Sequence, residues 1–216
     1  MCILAIETTR SSGSYAILKD DKIVYQDCID MKTTHSETIM CRIDNALKTM
    51  KIDKKELKGI CVSNGPGSFT GCRIGLATAK GICTGLKIPL IAFNTLEILA
   101  SNLYGTEKNI LSVLDARMNE AYVAVFDNKL NMVVDSHCRL YKSLTHGLKG
   151  DYICVGDTHL INEESKMFTK ALQHQNIIQA AAMFSLMKHK NVELKYNEEY
   201  IFTLEPYYIR SAVTNS

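Results

Sequence analysis

The sequence predicts an α/β fold of two lobes, on three observations. Of its 216 residues, 46% are hydrophobic and 22% are charged, a composition typical of a globular protein with a sizeable core. The first elements follow the order β-β-β-α-β-α-β-α, in which a meander precedes parallel crossovers. A second copy of the opening pattern begins after residue 106. We therefore expect a lobe at 1–105 and a degenerate repeat of it at 106–216, each starting with a three-stranded meander.

The first lobe opens with three short apolar runs, at 2–6, 15–18 and 22–28, separated by turn-forming residues. A helix is predicted over 36–50, because Thr34-His35-Ser36-Glu37 fits a capping box and apolar residues recur behind it at helical spacing. The remaining predicted elements are a strand at 59–62, a helix at 71–86, a strand at 89–93 and a helix at 95–103.

The second half repeats the meander. Leu111–Arg117 resembles the first strand, with an acid at the same place, and the runs 121–126 and 130–135 resemble the second and third. A strand at 152–155 and helices near 163–172 and 177–187 are predicted to follow.

Charge and cysteine usage exclude several classes of protein. A net charge of +2 is too close to balance for a dedicated nucleic-acid binder. No apolar run reaches the ~18 residues that a membrane span needs, and the first residues lack the basic region of a signal peptide. The eight cysteines form no CxxC pair, so reduced, buried thiols are expected rather than disulfides or zinc. We expect a cytoplasmic protein without a membrane contact.

The helix at 71–86 carries small residues at intervals of four, which lets another backbone approach closely. That backbone belongs either to the same subunit or to a partner, and the sequence leaves both open. The apolar helix at 36–50 favours a partner. The predicted interface residues are Ile39, Met40, Ile43, Ala46, Leu47, Gly71, Gly75 and Ala79.

The glycine-rich stretch 65–71 lies between a strand and a helix, the setting in which free amides bind phosphate. It lacks the lysine of a P-loop and the GxGxxG spacing, so a structural turn is the competing interpretation. An acid at the end of each first strand, Glu7 or Asp115, could hold Mg²⁺ through water. The candidate nucleotide or phosphate residues are Glu7, Thr8, Gly65, Gly67 and Ser68. Without a histidine pair or a GxSxG motif, no catalytic or metal residue is predicted.

Several segments closely resemble the TsaB (YeaZ) family, above all the run Gly-Pro-Gly-Ser-Phe-Thr-Gly-x-Arg-Ile-Gly at 65–75. The segments at 3–8, 35–37 and 115–117 and the tail at 205–210 add to the likeness. The resemblance implies an actin-like ATPase (ribonuclease H-like) fold. It also implies a non-catalytic role in threonylcarbamoylation of adenosine 37 in tRNA, as the required partner of a TsaD transferase joined by a TsaE ATPase. The family forms homodimers through its first two helices when TsaD is absent, and tRNA contact would be indirect.

The chain departs from the catalytic relatives where they carry Asn-His-x-x-x-His. Here Thr95 and Leu99 occupy the two histidine positions, and neither side chain is a nitrogen ligand. Glu7 also replaces the Asp more usual in the family. We therefore expect no activity and no cofactor in this chain alone, and any ATP or ADP with Mg²⁺ would lie at the partner interface.

The leading hypothesis is a scaffold whose helices 36–50 and 71–86 dock on TsaD. On this hypothesis, Gly75→Leu or Ile43→Asp abolishes the complex and leaves the monomer folded. The alternative is an actin-like ATPase or carbamoyl transferase with its own nucleotide site. A dinucleotide-dependent oxidoreductase is disfavoured, because such folds begin with βαβ.

Overall fold

Two five-stranded sheets organise the protein in the computed structural model, which describes residues 1–30, 36–161 and 167–209. Each sheet belongs to one of two units. The first unit comprises Met1–Asn94 and Gln179–Tyr207, and the second comprises Thr95–Ile178 with Tyr208 and Ile209.

The first sheet has the order β3-β2-β1-β4-β5. Its meander is antiparallel, and β4 and β5 continue it as parallel strands on the other side of β1. The strands are β1 (Cys2–Glu7), β2 (Ser12–Lys19), β3 (Lys22–Asp30), β4 (Leu57–Gly65) and β5 (Leu90–Asn94), and the helices of this unit are α1 (Ser36–Thr49), α2 (Phe69–Leu86), α4 (Ala182–His189) and α5 (Glu198–Thr203).

The second sheet has the order β10-β9-β6-β7-β8, the same connectivity as the first. Its meander is again antiparallel, and β9 runs parallel to β6 as β4 does to β1. Its elements are α3 (Thr95–Ser101), β6 (Asn109–Arg117), β7 (Glu120–Phe126), β8 (Met132–Leu140), β9 (Tyr152–Gly156) and β10 (Phe168–Lys170). The predicted duplication of a meander is confirmed, and with it the α/β fold class.

The core of the first unit lies on the central strands. Every residue of β1 is buried, as expected of a strand with neighbours on both sides and covered faces. The apolar stripe of α1 belongs to the same hydrophobic cluster as Leu4, Ile6 and Ile60 of the sheet. A helix with one apolar stripe thus covers its own sheet, the usual arrangement in a layered α/β unit.

The structure divides the chain differently from the predicted boundary after residue 105. The predicted helix at 95–103 is α3, and it packs against β6, β7 and β9, so it belongs to the second unit. Gln179–Tyr207, predicted within the second lobe, is part of the first unit. Here α4 packs against β4 and α5 against α2. These returning helices carry no feature that indicates from sequence which sheet they cover.

Two further predictions are the helix near 163–172 and the capping box that begins at Thr34. The helix predicted near 163–172 is wrong at Phe168–Lys170, which form β10 and pair in parallel with β9. Residues 162–166, like the Thr34 and His35 positions of the predicted capping box, lie outside the described residues. Phe168 and Thr169 favour β structure, and pairing with β9 extends the strand to Lys170.

The cysteines are all free, and five of them are buried, namely Cys2, Cys61, Cys72, Cys83 and Cys154. Burial raises the pKa of the Cys61, Cys83 and Cys154 thiols to about 12, so these groups are uncharged and behave as small apolar side chains. The prediction of buried thiols is wrong for Cys28 and Cys41, which are exposed. Among the described helices, none is both long and apolar enough to cross a membrane.

Candidate functional site

Helix α2 carries two series of small residues that face different directions. Gly71, Gly75 and Ala79 are buried, whereas Ala77, Gly81 and Gly85 are exposed. At 3.6 residues per turn, the centres of the two series lie about 120° apart around the helix axis. The two series therefore meet different surroundings, and they have different explanations.

The buried series packs against the end of β1. A Cβ atom added at Gly71 would collide with the backbone carbonyl oxygen of Thr8, and one at Gly75 would collide with the Thr8 hydroxyl. The Thr8 hydroxyl donates a hydrogen bond of 2.7 Å to the Gly71 carbonyl oxygen. These glycines are required because the first unit's own backbone passes this close to α2.

This packing corrects the predicted interface. Seven of its eight residues are buried in the first unit, so a partner cannot reach their side chains. The apolar stripe of α1 covers the sheet, and the buried series of α2 covers Thr8. Only Met40 is exposed, at 46% of its surface. The buried residues are Ile39, Ile43, Ala46, Leu47, Gly71, Gly75 and Ala79.

The exposed series was missed by the sequence analysis. A Cβ atom at Gly81 or Gly85 would meet nothing within 4 Å, so no contact within the described residues explains either glycine. Glycine in a helix interior costs about 1 kcal/mol relative to alanine. The signal that identifies the outer face is the apolar series Cys72, Leu76 and Cys83, which marks the core side of the helix and leaves Ala77–Gly81–Gly85 opposite it.

Glu7, one of the candidate phosphate residues, has a buried carboxylate at the end of β1. Glu7 Oε1 accepts hydrogen bonds from the Thr9 amide at 2.6 Å, the Thr9 hydroxyl at 2.5 Å and the Ser63 hydroxyl at 3.3 Å. Oε2 is buried, and the described residues offer it no partner. Burial raises the pKa of this carboxyl from 4.5 to about 7, although the Thr9 and Ser63 hydrogen bonds lower it.

The glycine-rich loop is occupied by the chain itself. Its peptide bond before Pro66 is cis, and Gly65 has a φ of +117° with the carbonyl oxygen of Tyr207 beside its Cα. A Cβ atom at Gly67 would collide with the Thr9 carbonyl oxygen, which also accepts a hydrogen bond of 2.7 Å from the Ser68 amide.

The Ser68 hydroxyl caps α2 by accepting a hydrogen bond of 3.2 Å from the Gly71 amide. In a phosphate-binding loop the glycine faces and free amides are turned to the ligand. Here Thr8 and Thr9 lie against those faces, and Thr8, Ser68 and the Gly71 amide have partners inside the unit. The residues present therefore fit a structural turn better than a nucleotide.

The raised pKa of Glu7 predicts a pH dependence of stability. The folded protein holds the Glu7 proton more tightly than the unfolded chain. The contribution of Glu7 to the free energy of unfolding is therefore full below about pH 4.5 and declines until about pH 7. The free energy of unfolding falls by about 3 kcal/mol over this pH range. In Glu7→Gln, an uncharged isostere, we expect this decline to be absent. Urea unfolding of both proteins from pH 5 to pH 8 measures it, and a constant difference between them would contradict the assignment.

The corresponding acid of the second unit lies in different surroundings. Asp115 is exposed, and its Oδ1 accepts hydrogen bonds from the Tyr141 hydroxyl at 2.7 Å and the Arg117 amide at 2.6 Å. The Asp115 carboxyl raises the pKa of Tyr141 to about 12. These hydrogen bonds to Asp115 stabilise the turn that leads into β7.

Thr95 and Leu99, at the positions of the histidines in the catalytic relatives, are both buried on α3. The Thr95 hydroxyl oxygen has no hydrogen-bond partner among the described residues.

Comparison with known proteins places these features in a family. Residues 30–196 match the family model of TsaD, tRNA N6-adenosine threonylcarbamoyltransferase. The chain is 33% identical over 129 residues to the tRNA threonylcarbamoyladenosine biosynthesis protein TsaB of Bacillus subtilis, a match that covers 60% of this chain and 56% of that protein. It is 29% identical over 169 residues to TsaB of Escherichia coli, covering 72% of this chain and 71% of that protein. The match thus spans just over half the length of the Bacillus relative.

Solved structures show the same fold. A protein from Pseudomonas aeruginosa, described as uncharacterized with similarity to peptidase YeaZ, superposes with a TM-score of 0.78 at 19% identity, covering 97% of this chain and 99% of that one. The activator of 2-hydroxyisocaproyl-CoA dehydratase from Clostridium difficile, with bound ADPNP, gives a TM-score of 0.50 at 10% identity, covering 89% of this chain and 98% of that one.

Proposed function

Because the chain belongs to the family of the TsaD model and, within it, to the TsaB (YeaZ) group, we propose that it is a non-catalytic subunit needed for threonylcarbamoylation of adenosine 37 in tRNA. Its partner is a TsaD-type transferase, and a TsaE-type ATPase joins the pair in the cytoplasm. Alone, the chain pairs with a second copy of itself, and tRNA is held by the partner. The chain alone needs no cofactor, and any ATP or ADP with Mg²⁺ binds at the partner interface.

The observation that supports docking is the outer face of α2, defined here by Ala77, Gly81 and Gly85. Gly81 within α2 and Gly85 in its last turn have open space above them, so no contact in the described unit explains them, and Gly81 makes the helix less stable. Their absent side chains let a second helix approach α2 closely. Met40 is also exposed, on α1, which packs against α2.

The absence of a catalytic role is supported by the surroundings of the candidate residues. Glu7 is fully buried, the Thr8 hydroxyl is bonded to Gly71, and Thr95 and Leu99 supply no metal ligand. ATP hydrolysis by the purified chain with Mg²⁺, lost on Glu7→Ala, would contradict this part of the proposal and favour an ATPase.

Docking is tested by Gly81→Leu. We expect the affinity for the TsaD-type transferase of the same organism to fall by about 10- to 100-fold, because a leucine holds the second helix away from α2. The melting temperature should not fall, since the added side chain meets no atom of the described unit.

The matched control is Ser185→Leu, which adds the same side chain at an exposed position of α4. Titration of labelled transferase with each variant measures the two affinities. Equal, undiminished binding by the two variants would exclude the outer face of α2 from the interface.

A further inference from the structure

A groove of about 450 Å³ lies on the first unit at the C-terminal end of α2, outside the Ala77–Gly85 face. Its lining combines aliphatic side chains, among them Leu57, Ile88 and Leu194, with one aromatic side chain, that of Tyr196. Leu57 and Ile88 are buried, and Leu194 and Tyr196 are half-buried. The groove therefore offers apolar side chains beside polar surface to whatever enters it.

Three lysines also line this groove. Lys55 lies in the turn before β4, Lys58 lies at the start of β4, and Lys87 follows α2. All three are exposed, and no carboxylate of the described residues forms an ion pair with them. Glu56, which lies between the first two in sequence, instead accepts a hydrogen bond of 2.7 Å from Lys19. The lining of the groove is thus positively charged without compensation from its own residues.

The positions of the lysines are only partly explained by the fold. A basic residue after α2 is favoured by the helix dipole, which accounts for the charge of Lys87. Yet Lys87 has a φ of +54°, a left-handed conformation that glycine adopts more readily at this helix end. The dipole of α2 gives no reason for Lys55 and Lys58, which arrive on a different element. Three unpaired lysines that converge from two segments on one apolar groove indicate a ligand.

We propose that this groove binds a short acidic peptide segment of a partner protein, which inserts an apolar side chain between Lys55, Lys58 and Lys87. Charge complementarity selects carboxylates at the lysines, and the aliphatic interior selects a leucine- or phenylalanine-sized side chain. An RNA strand fits less well, because base recognition relies on stacking against aromatic faces and the lining offers Tyr196 alone. The site is separate from the docking face of α2.

The test uses a fluorescein-labelled heptapeptide of Asp and Glu with one central Phe, titrated with the full chain. We expect binding that weakens with added salt, since exposed charges are screened. Lys58→Glu with Lys87→Glu should weaken it at least tenfold. The matched control is Lys142→Glu with Lys149→Glu, the same charge change at exposed positions of the second unit, which should change it less than about twofold.

Two further probes decide the chemistry. Replacing the peptide's Phe by Ser should weaken binding several-fold if the apolar interior is used. A twelve-nucleotide single-stranded RNA should bind no more tightly than the peptide. Absence of peptide binding at about 1 mM, equal effects of the two lysine pairs, or tighter binding of RNA at the same lysines would overturn the proposal.

Discussion

Replacing Gly71 by alanine is expected to destabilise the protein by about 3 kcal/mol or more. The new Cβ would overlap the backbone carbonyl oxygen of Thr8, and backbone cannot rotate away as a side chain can. The Thr8 hydroxyl, bonded to the Gly71 carbonyl, resists separation of the two segments. Thermal and urea unfolding measure the loss.

Gly81→Ala is the matched control on the same helix. Its Cβ meets nothing within 4 Å, so we expect dilute protein to gain about 0.5–1 kcal/mol from higher helix propensity. Opposite signs for the two glycines would establish which side of α2 faces inward. Equal effects would contradict the assignment of inner and outer faces.

Ile43→Asp is expected to unfold the protein or lower its melting temperature by about 10 °C or more. Ile43 is 3% exposed on the inner side of α1, and a carboxylate there has no water and no partner. This reverses the expectation from sequence, in which the monomer stays folded and only the complex is lost.

The control for this change is Asn45→Asp, which introduces the same charge at an exposed position two residues further along α1. Circular dichroism during heating should show a near-normal transition for Asn45→Asp and a lost or early one for Ile43→Asp. Similar transitions would mean that the apolar stripe of α1 faces outward.

The elements of the fold could largely be read from the sequence, because short apolar runs and turn residues report local structure directly. The repeat was detectable for the same reason, because an acid stands at the end of β1 and near the end of β6, at matching points of the pattern. Segment 168–170 was misassigned, since its strand conformation depends on pairing with β9. Such pairing is non-local, and periodicity over a few residues does not report it.

The direction in which α1 and α2 face could not be read from their own residues. An apolar stripe and a series of glycines suit a partner and a core equally well, and the sequence analysis chose the partner. The deciding contact is between Thr8 and Gly71, 63 positions apart in the chain. Only the three-dimensional structure shows that the buried glycines pack against the subunit's own chain and that Gly81 and Gly85 are exposed.

The first unit is discontinuous in sequence, and this determines the order in which the chain can fold during synthesis. Residues 95–178 of the second unit are contiguous, whereas the first unit requires Gln179–Tyr207 to cover its sheet. A nascent chain can therefore complete most of the second unit while the opening sheet still lacks α4 and α5. The unit whose sheet is translated first is therefore completed last. A fragment that ends at residue 105 lacks α4 and α5, so the apolar surface that they would cover is open to aggregation.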